Sequence, residues 1–235
     1  MDTGTARGGN LDGDGIAAEL AELKREGCHL LVTGVVSDAV RARQTRNLFG
    51  SPRERRRRIL ALVSTDLAGA KTYLPGDIDV DDEDVALLDF STTVRSTVGT
   101  ETSGPSWTTG PASPAAPGDG LVALRGALER ELVDAVSTTE RTPGRIRVGV
   151  LTLGVLLDEY GLDRTRGFVT SLGRAVRTAG GMGHCHLPLA PDATETEALV
   201  SAFDARIDLR HRDGRPPEQR WHLTESDSTT DWMLL

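Results

Sequence analysis

The chain has 235 residues, of which 38% are hydrophobic and only 4% aromatic, enough for one α/β domain whose core is filled by Val, Leu, Ile and Ala. Its formal charge of −8, from 35 acidic against 27 basic residues, argues against nonspecific nucleic-acid binding. No run reaches the roughly 18 apolar residues of a membrane span, and the start MDTGTARGGNLDGDG lacks a signal peptide's apolar stretch, so a soluble, cytoplasmic protein is expected.

Residues 1–15 are rich in Gly and Asp without periodicity and read as a disordered lead. From Ile16 onward a single domain is expected. "IAAELAELKREG" places Ile16, Leu20 and Leu23 at helical spacing and stops at Gly27. "CHLLVTG" reads as a buried first strand over 28–33. Ser37 or Asp38 then caps a helix running to about Leu48, closed by Gly50 and Pro52. "RRRRILALVSTD" gives a second strand near 58–64 and "DVALLDFST" a third near 85–91. Between them "GDIDVDDED" crowds Asp77, Asp79, Asp81, Asp82, Glu83 and Asp84 into a solvated loop.

Residues 99–118, with four prolines and many Gly, Ser and Thr, read as an insertion. Asp119 can cap a long helix carrying Leu124, Leu128 and Leu132 at four-residue spacing. "RIRVGVLTLGVLL" opens a fourth strand near 146–152, a helix follows from Asp163 with Phe168, Leu172 and Val176 on one face, and "GHCHLPL" supplies a fifth strand near 183–187. The tail reads as helix "ATETEALVSAF", strand "ARIDLRH", turn "RDGRPP" and strand "QRWHLTE", closing on the apolar "DWMLL". Alternating strands and helices predict an α/β fold with a mostly parallel sheet, helices on both faces and a C-terminal antiparallel hairpin.

This order of elements resembles the RecA/KaiC branch of the P-loop ATPases over nearly the whole chain from Cys28. The carriers are "RIRVGVLTLGVLLDEYGLDRTRGFVTSLGRAVRTAGGMGHCHLPL" and the closing "FDARIDLR" with "QRWHL". Within it the chain is similar to an uncharacterised, degenerate haloarchaeal (HTR-like) group. A salt-adapted composition agrees: Lys24 and Lys71 are the only lysines, and Asp outnumbers Glu.

The resemblance implies a phosphate-binding loop after the first strand, at "HLLVTGVVSDAVRARQTR". Such a loop needs G-x-x-x-x-G-K-[ST], because glycines let amides wrap phosphate, Lys neutralises it and the hydroxyl binds magnesium. Gly34 matches the first glycine, but Ala39, Val40 and Arg41 stand where the second Gly, the Lys and the hydroxyl belong, and Asp38 brings a carboxylate to the phosphate position. Leu151 and Thr152 occupy the strand end where a magnesium-holding Asp belongs. A noncatalytic RecA-like module acting through protein contacts is therefore expected, without a cofactor. The alternative is divergent binding of ATP with magnesium, or weak hydrolysis, through Gly34, Ser37, Arg41 and Arg43.

In "HCH", His184 and His186 share one side of a strand and Cys185 takes the other, so only two metal ligands converge locally. Cys28 and Cys185 read as buried free thiols. The basic run from Arg53 to Arg58 reads as a turn answering the acidic loop at 77–84 rather than a DNA contact, since no helix-turn-helix pattern accompanies it. The protein partner and the oligomeric state stay open.

Overall fold

The computed structural model describes residues 13–63, 67–90, 120–139 and 142–235; the insertion at 99–118 and residues 1–12 of the lead lie outside them. Helix α1 spans Gly13–Glu26, β1 Cys28–Thr33, α2 Asp38–Phe49 and β2 Arg57–Leu62. A short 3-10 helix, Leu67–Tyr73, leads toward β3, Val85–Asp89. Next come α3 (Gly120–Thr138), β4 (Ile146–Leu151), α4 (Leu153–Thr178), β5 (Met182–Leu187) and α5 (Thr194–Val200). Strands β6 (Ala205–Arg210), β7 (Glu218–Leu223), β8 (Ser228–Thr229) and β9 (Met233–Leu234) finish the chain.

The strands form one sheet in the order β3-β2-β4-β5-β1-β6-β7-β8, with β9 pairing β7. From β3 through β6 every pairing is parallel, and β7, β8 and β9 are antiparallel additions. Strands β1, β4 and β5 are buried at every position. That is the pattern of parallel strands covered on both faces, and it explains why they read as near-continuous apolar runs.

Alternate residues serve opposite cores. On one face Leu31, Ile59, Ala61, Val148, Val150, Cys185 and Leu187 pack under α3, α4 and α5 through Leu124, Leu128, Phe168, Leu172 and Leu199. Each fully buried Leu of that α3 row contributes on the order of 2 kcal/mol. On the other face Leu30, Val32, Leu60 and Leu62 pack beneath α2, α1 and the 3-10 helix, using Val40, Ala42, Leu48 and Phe49. The two thiols fall on opposite faces, Cys28 in one core and Cys185 in the other; both are free and buried.

Two helix starts differ from the sequence reading. Helix α1 opens at Gly13 rather than Ile16, so the end of the expected disordered lead is helical. The helical stretch α4 opens at Leu153, directly after β4, where Leu153 and Leu156 are drawn into the core under α3. Gly161, at φ 76° and ψ 171°, divides it into two helices; the second starts within two residues of the expected Asp163, and the short first one is the addition to the sequence reading. Among the described residues, no helix is long and apolar enough to cross a membrane.

Candidate functional site

In an open α/β sheet, ligands are held where neighbouring strands send their connections to opposite faces, at the strands' C-terminal ends. Here β1 and β5 are neighbours, with Thr33 beside Leu187. The connection from β1 passes through α2 on one face and that from β5 through α5 on the other. The loop Gly34–Ser37 sits at this point, so the fold brings the candidate residues to the position a ligand would use.

The loop is closed on itself. The Gly34 N–H donates to the Leu189 carbonyl at 2.8 Å, tying the loop to the end of β5. Gly34 has φ 126°, and a Cβ there would collide with the carbonyl oxygen of Leu209, so only glycine fits between β1 and β6. The chain turns within four residues: the Val36 N–H donates to Gly34 O at 3.1 Å and α2 is already helical at Asp38. Ser37 precedes α2 in extended geometry and makes no side-chain cap hydrogen bond. Arg41 folds back over this turn, donating to the Val36 carbonyl and pairing with the Asp38 carboxylate. Gly34, Ser37 and Arg41 are thus brought together. Arg43 is not: two residues on, about 200° around the helix, it is exposed.

At the end of β4, Leu151 is buried and its carbonyl accepts from Val63 N–H at 2.6 Å. The Leu151–Thr152 peptide is cis.

Beside the loop lies a polar centre that sequence reasoning missed. Asp208, directly across from Thr33 in the β1–β6 register, is fully buried. Thr33 Oγ1 donates to its Oδ1 at 2.9 Å, Arg206 Nε lies 2.8 Å from Oδ1, Arg220 Nη2 donates to Oδ2 at 3.0 Å and His222 Nε2 to Oδ2 at 2.7 Å. His222 Nδ1 in turn lies 2.9 Å from Thr229 Oγ1. Burial alone would raise the Asp208 pKa, but the His222 hydrogen bond, the Arg206 charge and the Arg220 hydrogen bond hold it well below the ordinary carboxylate value. The chain's last strands are therefore fastened to β1 by one ionised carboxylate. The available signal was the alternation of Arg206, Asp208 and Arg210 against Arg220 and His222, which marks one polar face of a hairpin.

The residues of "HCH" alternate as strand geometry requires. His184 and His186 face α2, their rings 5.6 Å apart, with Thr45 Oγ1 2.9 Å from His186 Nε2. On the other face Cys185 Sγ lies 3.3 Å from His29 Nε2. Among the described residues, no group of three or more His, Cys, Asp or Glu is placed to hold a metal ion.

The basic run is answered within the chain. Arg55 pairs with Glu83 and Asp84 at 2.8 and 3.2 Å, Arg57 with Glu131 at 3.0 Å and Arg56 with Glu54. Arg58 is buried and donates to the carbonyls of Arg56 and Ser51, each at 3.0 Å. These guanidiniums brace the entry to β2 rather than forming a free cationic surface.

The profile of DUF7504, a family of unknown function, matches residues 27–209, from β1 through β6. The chain belongs to this family. No curated protein matches it significantly. The DUF7504 span takes in the β1–α2 loop and Asp208, whereas Arg220, His222 and Thr229, which fasten Asp208, lie beyond it.

Proposed function

We propose that this DUF7504 protein is a noncatalytic RecA/KaiC-like scaffold that acts in the cytoplasm of a salt-adapted cell through contacts with other proteins. Support for the lineage comes from the mostly parallel sheet, its crossover helices on both faces and the antiparallel hairpin that ends it. One observation carries the noncatalytic reading: Arg41, the cation that folds over the β1–α2 turn, is spent on the Val36 carbonyl and the Asp38 carboxylate. An entering phosphate would have to displace that pair and lie beside Asp38, a like-charge contact that costs about 4 kcal/mol near a protein surface at 4 Å. The buried Leu151 offers no magnesium ligand at the neighbouring strand end.

The divergent nucleotide-binding reading draws on one feature. Ser37 leaves the start of α2 without a side-chain cap, and the first amides of a helix have no intrahelical acceptors. Calorimetric titration with ATP and magnesium at high salt, alongside phosphate release, separates the two. The scaffold reading expects no saturable heat and no turnover. Saturable binding that is lost in Arg41→Ala supports the alternative, and turnover that survives purification and disappears in Gly34→Trp overturns the noncatalytic reading.

A further inference from the structure

Helices α3 and α4 form the outer layer over one face of the sheet, and their seam is left open. Between them runs a groove of about 640 Å³ lined by Leu132, Val133 and Val136 of α3 and Ala175 and Thr178 of α4, with Glu129 on one wall and Arg174 on the other. Helix α3 turns Leu121, Leu124, Leu128 and Leu132 inward, yet it also presents Val122 and Val133 to solvent, 50% and 71% exposed. These two valines are eleven residues apart, about three helical turns, and so lie on one stripe. On that stripe Gly126 has no neighbour close to its Cβ position other than the flexible end of Arg130, which leaves room for close approach of another helix.

The charges on the rim say what covers it. Among the described residues, Glu129 has a single loose partner, Arg125 at 3.6 Å, and Arg174 forms no ion pair. An apolar seam with an acid on one wall and an unpaired base on the other is complementary to itself under a two-fold rotation, the requirement of an isologous interface. A second copy, rotated onto the groove, would set Glu129 of each protomer against Arg174 of the other, with the Val133 side chains covered at the centre.

We propose that the α3–α4 groove is the interface of a symmetric homodimer of this chain. The face lies away from the β1–α2 loop and does not depend on whether that loop holds a nucleotide. Sedimentation equilibrium of the full chain at about 0.15 M salt, where screening acts over roughly 8 Å, tests it. The wild type is expected to be dimeric at tens of micromolar. Val133→Glu, at an exposed position that leaves the fold intact by circular dichroism, should be monomeric. Glu129→Arg and Arg174→Glu alone should each weaken the dimer by about tenfold or more, and the double reversal should restore it, because each new charge again meets its opposite across the axis. A monomeric wild type at these concentrations, a dimer indifferent to Val133→Glu, or a double reversal no better than the single ones would overturn the proposal.

Discussion

Acid should unfold this protein well above the pH at which its carboxylates titrate, and the cause is three buried histidines. His29, His184 and His186 are each no more than 2% exposed. Burial, with Arg177 and His184 nearby, lowers the His29 pKa to about 3; burial and Arg147 lower His184 to about 3; burial, His184 and Arg41 hold His186 well below its ordinary value. Because the native pKa values lie below the unfolded value of 6.5, the two states bind the same number of protons above that pH. As pH falls below it, the unfolded chain takes up protons that the native chain refuses. Stability therefore drops by about 1.4 kcal/mol per pH unit for each histidine. At about pH 5 the loss is roughly 2 kcal/mol per ring, or about 6 kcal/mol for the three, against a typical total of 5–15 kcal/mol. Asp208 does not contribute in this window, since its depressed pKa withdraws stability only below its ordinary value of 3.8. Urea unfolding at constant high salt, at about pH 7.5 and about pH 5, measures the difference. His29→Leu should shrink that difference by about 2 kcal/mol whatever it does to absolute stability. A stability that is flat between the two pH values, or a pH dependence unchanged in His29→Leu, would refute the reasoning.

Three further outcomes follow from named contacts. Gly34→Ala should lower stability by about 2 kcal/mol or more in urea unfolding, because the added Cβ meets the Leu209 carbonyl at a left-handed φ; a neutral effect would show that the β1–β6 approach is looser than described. Asp208→Asn should cost about 3 kcal/mol by the same measurement, since the partly exposed Arg206 and Arg220 lose the counter-charge of a fully buried carboxylate; no loss would mean that the hairpin is held by its backbone pairing alone. Native protein should react with a thiol reagent only at the rate of unfolding, because burial raises both thiols, Cys28 to about 12, and fast labelling of either would contradict their burial.

The parallel core was legible because buried crossover strands carry a one-dimensional signal. Strand β1 ends where the apolar run "CHLLVT" ends, and β2 and β5 lie within two residues of their sequence limits. The first part of α4, before Gly161, was hidden because "TLGVLL" is apolar in either state, whereas the part after Gly161 was legible in the spacing of Phe168, Leu172 and Val176. At the candidate site, the sequence put Gly34 in the turn after β1 and Ser37 just before α2, as the structure has them. It did not reveal that Arg41 closes onto Asp38, an (i, i+3) pair whose formation depends on α2 starting immediately after Ser37. The Asp208 centre was the least legible, since its partners sit on three strands and become neighbours only through the β1–β6–β7 register. The pairing of Arg55 with Glu83 and Asp84 was legible as a basic run answering the acidic loop, whereas that of Arg57 with Glu131 depends on α3 being packed beside β2.

The turn after β1 is covered by its own Arg41 side chain, and on the proposed function it takes no phosphate. Amide resonances of Gly34 through Ala39, followed by nuclear magnetic resonance during titration with ATP and magnesium at high salt, test it most directly, because those N–H groups are the ones a phosphate would contact. They are expected to stay unshifted to millimolar nucleotide, with the Gly34 amide still bonded to Leu189 and slow to exchange. A saturating shift centred on Gly34, Ser37 and Asp38 would contradict it.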